Sequence, residues 1–108
     1  MRTIDVYCGN CHAGQLIEWA LGDYEFCYDV DYLDNAAMPA ISVTLPKRSE
    51  PFRSHLIFPF FVNLLPEGAN RKALCQIKHV DEKDFFGMLQ MICGMDCIGN
   101  VTLKGSIQ

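Results

Sequence analysis

The spacing of apolar residues changes halfway along this chain, from every second residue to every third or fourth. Residues 24–32 alternate, with one side made of Tyr24, Phe26, Tyr28, Val30 and Tyr32. Strict alternation is typical of a half-buried strand, because successive side chains of a strand point to opposite faces. Residues 60–65 and 85–92 repeat at helical spacing instead. We therefore expect strands first and helices later, which is an α+β domain.

The first half of the chain predicts four strands. Residues 3–7 and 15–21 form a hairpin around Gly9-Asn10 and Gly14, and residues 24–32 follow the turn at Gly22-Asp23. Residues 41–45 make a short fourth strand that ends at Pro46, because proline has no N–H to donate to a ladder. The polar stretch 47–55 is expected to be a loop.

The second half predicts short helices. Pro59 suits the first turn of a helix that ends at Pro66. Residues 70–78 form a second helix, whose expected buried face is Ala73, Leu74 and Ile77. Asp81 is the expected N-cap of a third helix, with Gly94 as its C-cap and a buried stripe made of Phe85, Met88, Leu89 and Ile92.

Residues 100–103 predict a strand that closes the sheet. The expected fold is a small antiparallel sheet from the N-terminal half plus this closing strand, packed with two or three short helices from the C-terminal half. We expect residues 1–108 to form a single domain, since this length holds one core.

Length and charge restrict the classes of function. The 9 Lys and Arg residues face 13 Asp and Glu residues, which gives a net charge of −4. Contact with phosphates needs a basic face, so we expect no direct binding of nucleic acid. A kinase or dehydrogenase needs a larger nucleotide-binding scaffold, and the sequence has no glycine-rich phosphate loop. We expect a binding module and not an enzyme.

No segment predicts export or insertion into a membrane. Asp5 and the stretch 8–12 interrupt the N-terminal apolar residues, so no signal peptide forms. The longest apolar run, residues 56–62, contains Pro59 and is far shorter than the roughly 20 residues that cross a bilayer. We expect a cytoplasmic protein whose six cysteines are free thiols.

The sharpest short motif is Cys8-Gly9-Asn10-Cys11-His12, since C-x-x-C-H is the pattern of covalent haem attachment. Its position between two predicted strands disfavours haem, and a hairpin lacks the helix N-terminus that activates a redox dithiol. Zinc could be held by Cys8 and Cys11 together with Cys93 and Cys97 if the two ends of the chain meet. We expect no cofactor and keep a Cys-based metal or redox module as an alternative.

We expect the remaining candidates for catalysis or metal binding, two histidines and three aspartates, to lie on the surface. His55 and His79 are isolated, and local spacing suggests no catalytic triad. Asp29, Asp31 and Asp34 resemble a fragment of a calcium loop but lack its glycine and its distal glutamate. We interpret them as the solvated face of a strand.

The apolar cluster of residues 58–65 leads to the candidate binding site. We expect at least three of its members to be buried: Phe58, Phe60, Phe61, Leu64 and Leu65. It ends in Pro66-Glu67-Gly68-Ala69, and a turn of small residues projecting from a rigid helix suits a recognition edge. The expected partner-binding residues are Phe60, Phe61, Leu64, Leu65, Pro66, Glu67, Gly68 and Ala69.

Five pieces of sequence occur in a characteristic order: Ser42-Val43-Thr44-Leu45-Pro46, Pro59-Phe60-Phe61, Leu64-Leu65-Pro66-Glu67-Gly68, Asp84-Phe85-Phe86 with Leu89, and Gly94-Met95-Asp96-Cys97-Ile98-Gly99-Asn100-Val101. Together they resemble the amino-terminal subdomain of the HipA family of serine/threonine kinase toxins. In that family the subdomain precedes a much larger kinase core, so the resemblance implies that this chain phosphorylates nothing by itself. Ala69 departs from relatives, which often carry a large aromatic residue at or near this position.

A free-standing copy of the subdomain is similar to the HipS family, the small antitoxins of tripartite HipBST toxin–antitoxin systems. The resemblance implies an antitoxin that binds and inhibits a HipT-like serine/threonine kinase toxin, with a HipB-like helix-turn-helix protein in a ternary complex. The alternatives are a co-regulator of a helix-turn-helix repressor that does not neutralise the toxin, the Cys-based metal or redox module, and a remnant of a kinase toxin without function.

Overall fold

A computed structural model describes residues 1–65, 68–81, 83–92 and 101–105. The strands are β1 (Arg2–Cys8), β2 (Cys11–Ala20), β3 (Asp23–Tyr28), β4 (Phe52–Ser54) and β5 (Val101–Gly105). The helices are α1 (Val30–Asp34), α2 (Pro59–Val62), α3 (Gly68–Lys78) and α4 (Phe85–Met91). The strands form one antiparallel sheet in the order β4-β3-β2-β1-β5. The predicted α+β class and the closing strand are confirmed, although α1 comes from the N-terminal half.

The predicted hairpin is formed by β1 and β2. Gly9 begins its two-residue turn with a φ of +61°, a conformation that glycine adopts without steric cost. Val6 pairs with Gly14 but Tyr7 pairs with His12, so Ala13 forms a β-bulge. The bulge carbonyl of Ala13 accepts a hydrogen bond from the Asp29 N–H at 2.8 Å. The bulge therefore ties the hairpin to the end of β3.

The predicted third strand is too long. β3 ends at Tyr28, and Val30 and Tyr32 lie in α1. Tyr28 and Tyr32 are four residues apart, and their rings stack with centroids 5.9 Å apart. A spacing of four fits both a strand and one turn of helix, so the sequence pattern could not separate the two.

The predicted fourth strand at 41–45 is wrong. This stretch is a turn with a single bridge between Ser42 and Leu45. The Tyr28 hydroxyl accepts from the Ile41 N–H at 3.1 Å and donates to the Leu45 carbonyl. One buried side chain thus supplies partners that a neighbouring strand would otherwise provide.

The fourth strand lies instead in the predicted loop. β4 pairs with β3 through three residue pairs, from Phe26↔Phe52 to Tyr24↔Ser54. The short edge strand is half-buried at Phe52, on whose ring the Arg48 guanidinium lies 3.7 Å from the centroid. Three residues are too few for an alternation to be recognised in the sequence.

The core lies between one face of the sheet and the helices. Its fully buried side chains from the sheet are Ile4, Val6, Leu16, Phe26 and Leu103. Those from the helices are Phe61, Phe86, Met88 and Leu89. The other face carries polar contacts such as the hydrogen bond from the Trp19 Nε1–H to Glu25 Oε1 at 3.2 Å. No helix among the described residues is long and apolar enough to cross a membrane.

The last helix starts three residues later than predicted. Asp84, and not Asp81, is the N-cap of α4, and its carboxylate accepts from the Gly87 N–H at 3.1 Å. Phe86 is fully buried although the predicted stripe omitted it, whereas Phe85 is only half-buried. Met88, Leu89 and Ile92 are buried as predicted, so Phe86 takes the place of Phe85 in the buried stripe. The predicted C-cap Gly94 lies outside the described residues.

Candidate protein-binding site

α2 is held in place by Phe61. The Phe61 side chain is 0% exposed, and its ring centroid lies 5.6 Å from that of Phe26 on the sheet. Leu65 is also buried, whereas Phe58, Phe60 and Leu64 are half-buried against the core. Two residues of the cluster are therefore buried, fewer than the three predicted. A helix of four residues at the rim of the core keeps one side in solvent.

The structure divides the predicted partner-binding residues into two groups. Phe61 and Leu65 support the segment from inside and present no surface. Gly68 and Ala69 are exposed at the start of α3. Phe60 and Leu64 are partly buried and so remain partly accessible. Pro66 and Glu67 lie outside the described residues. We call Phe60, Leu64, Gly68 and Ala69 the α2–α3 corner.

Gly68 begins α3 in the left-handed region, with a φ of +57°. A Cβ added at this position would meet no described atom within 4 Å. Backbone conformation, and not lack of space, is therefore what favours glycine here. Ala69 follows on the first turn of the helix and is exposed.

α3 buries only part of the face that its sequence predicts, since Leu74 is half-buried against the core. Ala73 and Ile77 were expected in the core, but both are exposed. The helix is attached instead through Cys75, whose Sγ lies 3.4 Å from Met88 Sδ, and through Arg71, whose guanidinium lies 5.6 Å from the Phe85 ring centroid. Sequence periodicity found the amphipathic pattern but not which side α4 covers.

The Cys-x-x-Cys-His motif forms the tip of the first hairpin. Cys8 and Cys11 are opposite each other at the turn, Cys8 buried and Cys11 half-buried, and both are free thiols. Among the described residues, no group of three or more His, Cys, Asp or Glu side chains could hold a metal ion. Cys93 and Cys97, the other proposed zinc ligands, lie outside the described residues.

The histidine of this motif lies between two carboxylates. His12 Nδ1 is 3.0 Å from Asp29 Oδ2, and His12 Nε2 is 3.1 Å from Asp5 Oδ1. Burial alone would lower the pKa of His12, but the hydrogen bonds and charges of Asp29 and Asp5 outweigh burial and raise the pKa above its usual 6.5. Only the protonated ring donates at both nitrogens, so this geometry suits the imidazolium.

Asp29 belongs to this histidine pair and not to a calcium loop. The hydrogen bond with His12 holds the pKa of Asp29 below its usual value. Asp31 lies in the first turn of α1, where a helix dipole favours negative charge. The prediction that these carboxylates lie on the face of a strand is therefore wrong, because β3 ends at Tyr28, before all three of them.

His55 and His79 occupy loop positions, as predicted. His55 Nδ1 lies 3.3 Å from the Gly22 carbonyl oxygen and is exposed. His79 directly follows α3 with a φ of +58°, the left-handed conformation that commonly follows a helix C-terminus.

Comparisons with known proteins agree on a family. The family model described as HipA N-terminal domain matches residues 4–104. The chain is 33% identical over 94 residues to "Putative kinase Y4mE" of Sinorhizobium fredii, a match that covers 87% of this chain and 22% of that protein. The chain thus spans about a fifth of that relative.

A second relative is of similar length to this chain. An uncharacterized protein of Haemophilus influenzae is 33% identical over 81 residues, which make up 75% of this chain and 72% of that protein. Among solved structures, the N-terminal domain of HipA toxin superposes with a TM-score of 0.71 at 24% identity, covering 100% of this chain and 95% of that one. This structural match establishes that the fold is shared.

Proposed function

This chain belongs to the HipA N-terminal domain family, and on that premise we propose that it is an antitoxin that binds a separately encoded HipT-like serine/threonine kinase toxin and inhibits it. The family relation supports a toxin–antitoxin context. The observation that carries the proposal is the difference in length between the relatives. The matched region is 22% of the Sinorhizobium protein but 72% of the Haemophilus protein, so the domain occurs both within a long chain and as most of a short one.

In this proposal binding is the whole mechanism. The antitoxin occupies the surface that a fused N-terminal subdomain would cover, or a neighbouring face at the nucleotide cleft, and performs no chemical step itself. To keep the toxin silent, the complex needs a dissociation constant in the nanomolar range. This corresponds to a binding free energy of about −12 kcal/mol. Such affinity commonly needs an interface of about 1,600 Å² with a few large apolar anchors.

The α2–α3 corner supports this mechanism because it combines a rigid base with an accessible rim. Phe61 and Leu65 fix the segment in the core, so little order has to be gained on binding. Phe60 and Leu64 offer partly accessible apolar surface, and Ala69 is exposed. We propose that these residues contact the kinase, with Pro66 and Glu67 completing the segment.

The proposal includes the cellular setting. The complex forms in the cytoplasm, a HipB-like helix-turn-helix protein joins it as third component, and this chain does not contact DNA itself. The net charge of −4 supports the last point, because an acidic protein gains nothing from the release of counterions from DNA.

Co-purification and a kinase assay test the proposal. The chain is co-expressed with a HipT-like kinase from the same genome, and the complex is isolated and assayed for autophosphorylation with and without the small protein. We expect a stable complex and loss of kinase activity. Ala69→Arg should weaken inhibition by about tenfold or more, and Val43→Arg, at a side chain 97% exposed in a different loop, is the matched control.

Thermal melting first establishes that each variant folds. Failure of the wild-type chain to bind or to inhibit the kinase would overturn the proposal. Full inhibition by folded Ala69→Arg and Glu67→Lys variants would remove the corner and the adjoining Glu67 from the interface while leaving the antitoxin role intact.

A further inference from the structure

α3 is joined to the rest of the domain along one side only. Among its described side chains, Cys75 is buried and Leu74 and Arg71 are half-buried. The contacts that hold it include those of Cys75 with Met88 and of Arg71 with Phe85, and Leu74 packs against the core. An isolated helix of 11 residues is marginal in water, so a second surface that covered α3 would stabilise it further.

The opposite side of α3 carries an apolar stripe. Ala69, Ala73 and Ile77 are spaced by four residues and therefore share one face of the helix. All three are exposed, and Ile77 is 72% accessible. The two alanines leave room for another backbone to come close, and Ile77 provides a branched side chain that could fill a pocket.

The charge of α3 is opposite to that of the chain. The helix contains Arg71, Lys72 and Lys78 and no acidic residue, whereas the whole chain has a net charge of −4. Lys72 is exposed next to Ala73. The complement of this face is an apolar patch bordered by carboxylates.

We propose that the outer face of α3, formed by Ala69, Lys72, Ala73, Gln76 and Ile77, docks on an apolar surface of the kinase toxin that is bordered by acidic side chains. This inference rests on the proposed function and names a second part of the same interface. Ala69 belongs both to this face and to the residues that we call the α2–α3 corner. In the Sinorhizobium relative the other 78% of the chain lies outside the matched region, so a large neighbour for the domain exists there.

A second copy of this chain fits the face less well. In a two-fold dimer the same patch meets itself, which would bring the exposed Lys72 of both copies into one interface. Like charges across an interface cost several kcal/mol. The exposed Lys72 therefore favours a kinase surface with acidic side chains over a second copy of this chain.

Calorimetric titration of the kinase with variants of this chain tests the inference. Ile77→Asp should weaken binding by about thirtyfold or more and Lys72→Glu by about tenfold. The matched controls are Val43→Asp and Leu21→Asp, at apolar side chains 97% and 93% exposed elsewhere on the surface, and both should bind like wild type. Wild-type affinity should fall as salt rises, and Lys72→Glu should flatten that dependence.

The outcomes separate this inference from the proposed function. If the wild-type chain does not bind the kinase, both fail. If the wild-type chain binds and folded Ile77→Asp, Ile77→Ser and Lys72→Glu bind equally well, the inference is overturned and the antitoxin role stands. Self-association of the wild-type chain that Ile77→Asp abolishes, with kinase binding unchanged, would assign the face to a second copy and also overturn it.

Discussion

The guanidinium of Arg2 donates hydrogen bonds to both carboxylate oxygens of Asp84, Nη1 to Oδ2 at 3.1 Å and Nη2 to Oδ1 at 2.9 Å. It also donates to both oxygens of Glu18, at 2.6 and 2.8 Å, and lies 5.0 Å from the Phe86 ring centroid. Asp84 is the N-cap of α4, and the hydrogen bonds from Arg2 hold its pKa below the usual value. One side chain of β1 thus fixes the start of the last helix.

Replacing Arg2 by Met should lower the free energy of unfolding by about 1–3 kcal/mol, because it leaves the Glu18 carboxylate, 10% exposed, without its cationic partner. Urea denaturation measures the loss. The matched control is Arg53→Met, since Arg53 also joins two carboxylates, Asp23 and Glu25, but is itself 55% exposed. Its loss should cost about 0–1 kcal/mol. Equal costs for the two variants would contradict the structural role given to Arg2.

Gly14, which lies on β2 next to the β-bulge, should not tolerate replacement by a residue with a side chain. A Cβ there would lie 2.2 Å from the backbone oxygen of Cys27 on β3, so Gly14→Ala must push β2 and β3 apart. We expect a loss of about 3 kcal/mol. Gly9→Ala is the control: its Cβ would meet no described atom within 4 Å, and only the left-handed φ of +61° costs about 1 kcal/mol. Thermal melts that rank the two in the opposite order would show that the strand contact is not tight.

The stability of the domain should depend on the protonation of His12. Its pKa is raised in the folded chain above 6.5, so its contribution is fully present below about pH 6.5 and is lost as the pH rises through the folded-state pKa. The pKa of Asp29 is lowered from 3.8, so its contribution is lost in strong acid. We expect the melting temperature to fall as the pH is raised from about 6 through the pKa of His12.

His12→Gln should flatten this pH dependence. His55→Gln is the control, because the His55 ring lies beside the Gly22 carbonyl and not between carboxylates. A pH profile that His12→Gln leaves unchanged would assign the dependence to other groups.

The cysteines should titrate as free thiols. The six cysteines should all react with a thiol reagent after denaturation without reductant. In the native protein Cys8 and Cys75 should react slowly because they are buried, and burial, with Glu25 and Asp29 nearby, raises the pKa of Cys27 and slows its reaction too. Fewer than six thiols after denaturation, or zinc in elemental analysis, would favour the metal or redox alternative.

Several features of this protein follow from the sequence alone. The alternation of Ile4, Asp5 and Val6 and the turn at Gly9 specify the first hairpin, since both act over a few residues. Pro59 marks the start of α2 for the same local reason. The order of five short sequence segments between residues 42 and 101 also predicted the family.

Tertiary structure decided the features that depend on distant partners. The Tyr28 hydroxyl, and not a strand, satisfies the backbone at Ile41 and Leu45. Arg2 meets Asp84 across 82 residues, and nothing in either local sequence indicates the other.

The candidate binding surface shows the same division. Residue types and spacing predicted that α3 has an apolar face, but only the position of α4 decided that Cys75 is covered and Ile77 is exposed. The spacing of apolar residues shows that one side of a helix is apolar, because this spacing is a property of that helix's sequence alone. Which element covers that side is a property of two elements that are far apart in the sequence, so it is determined only when the chain folds.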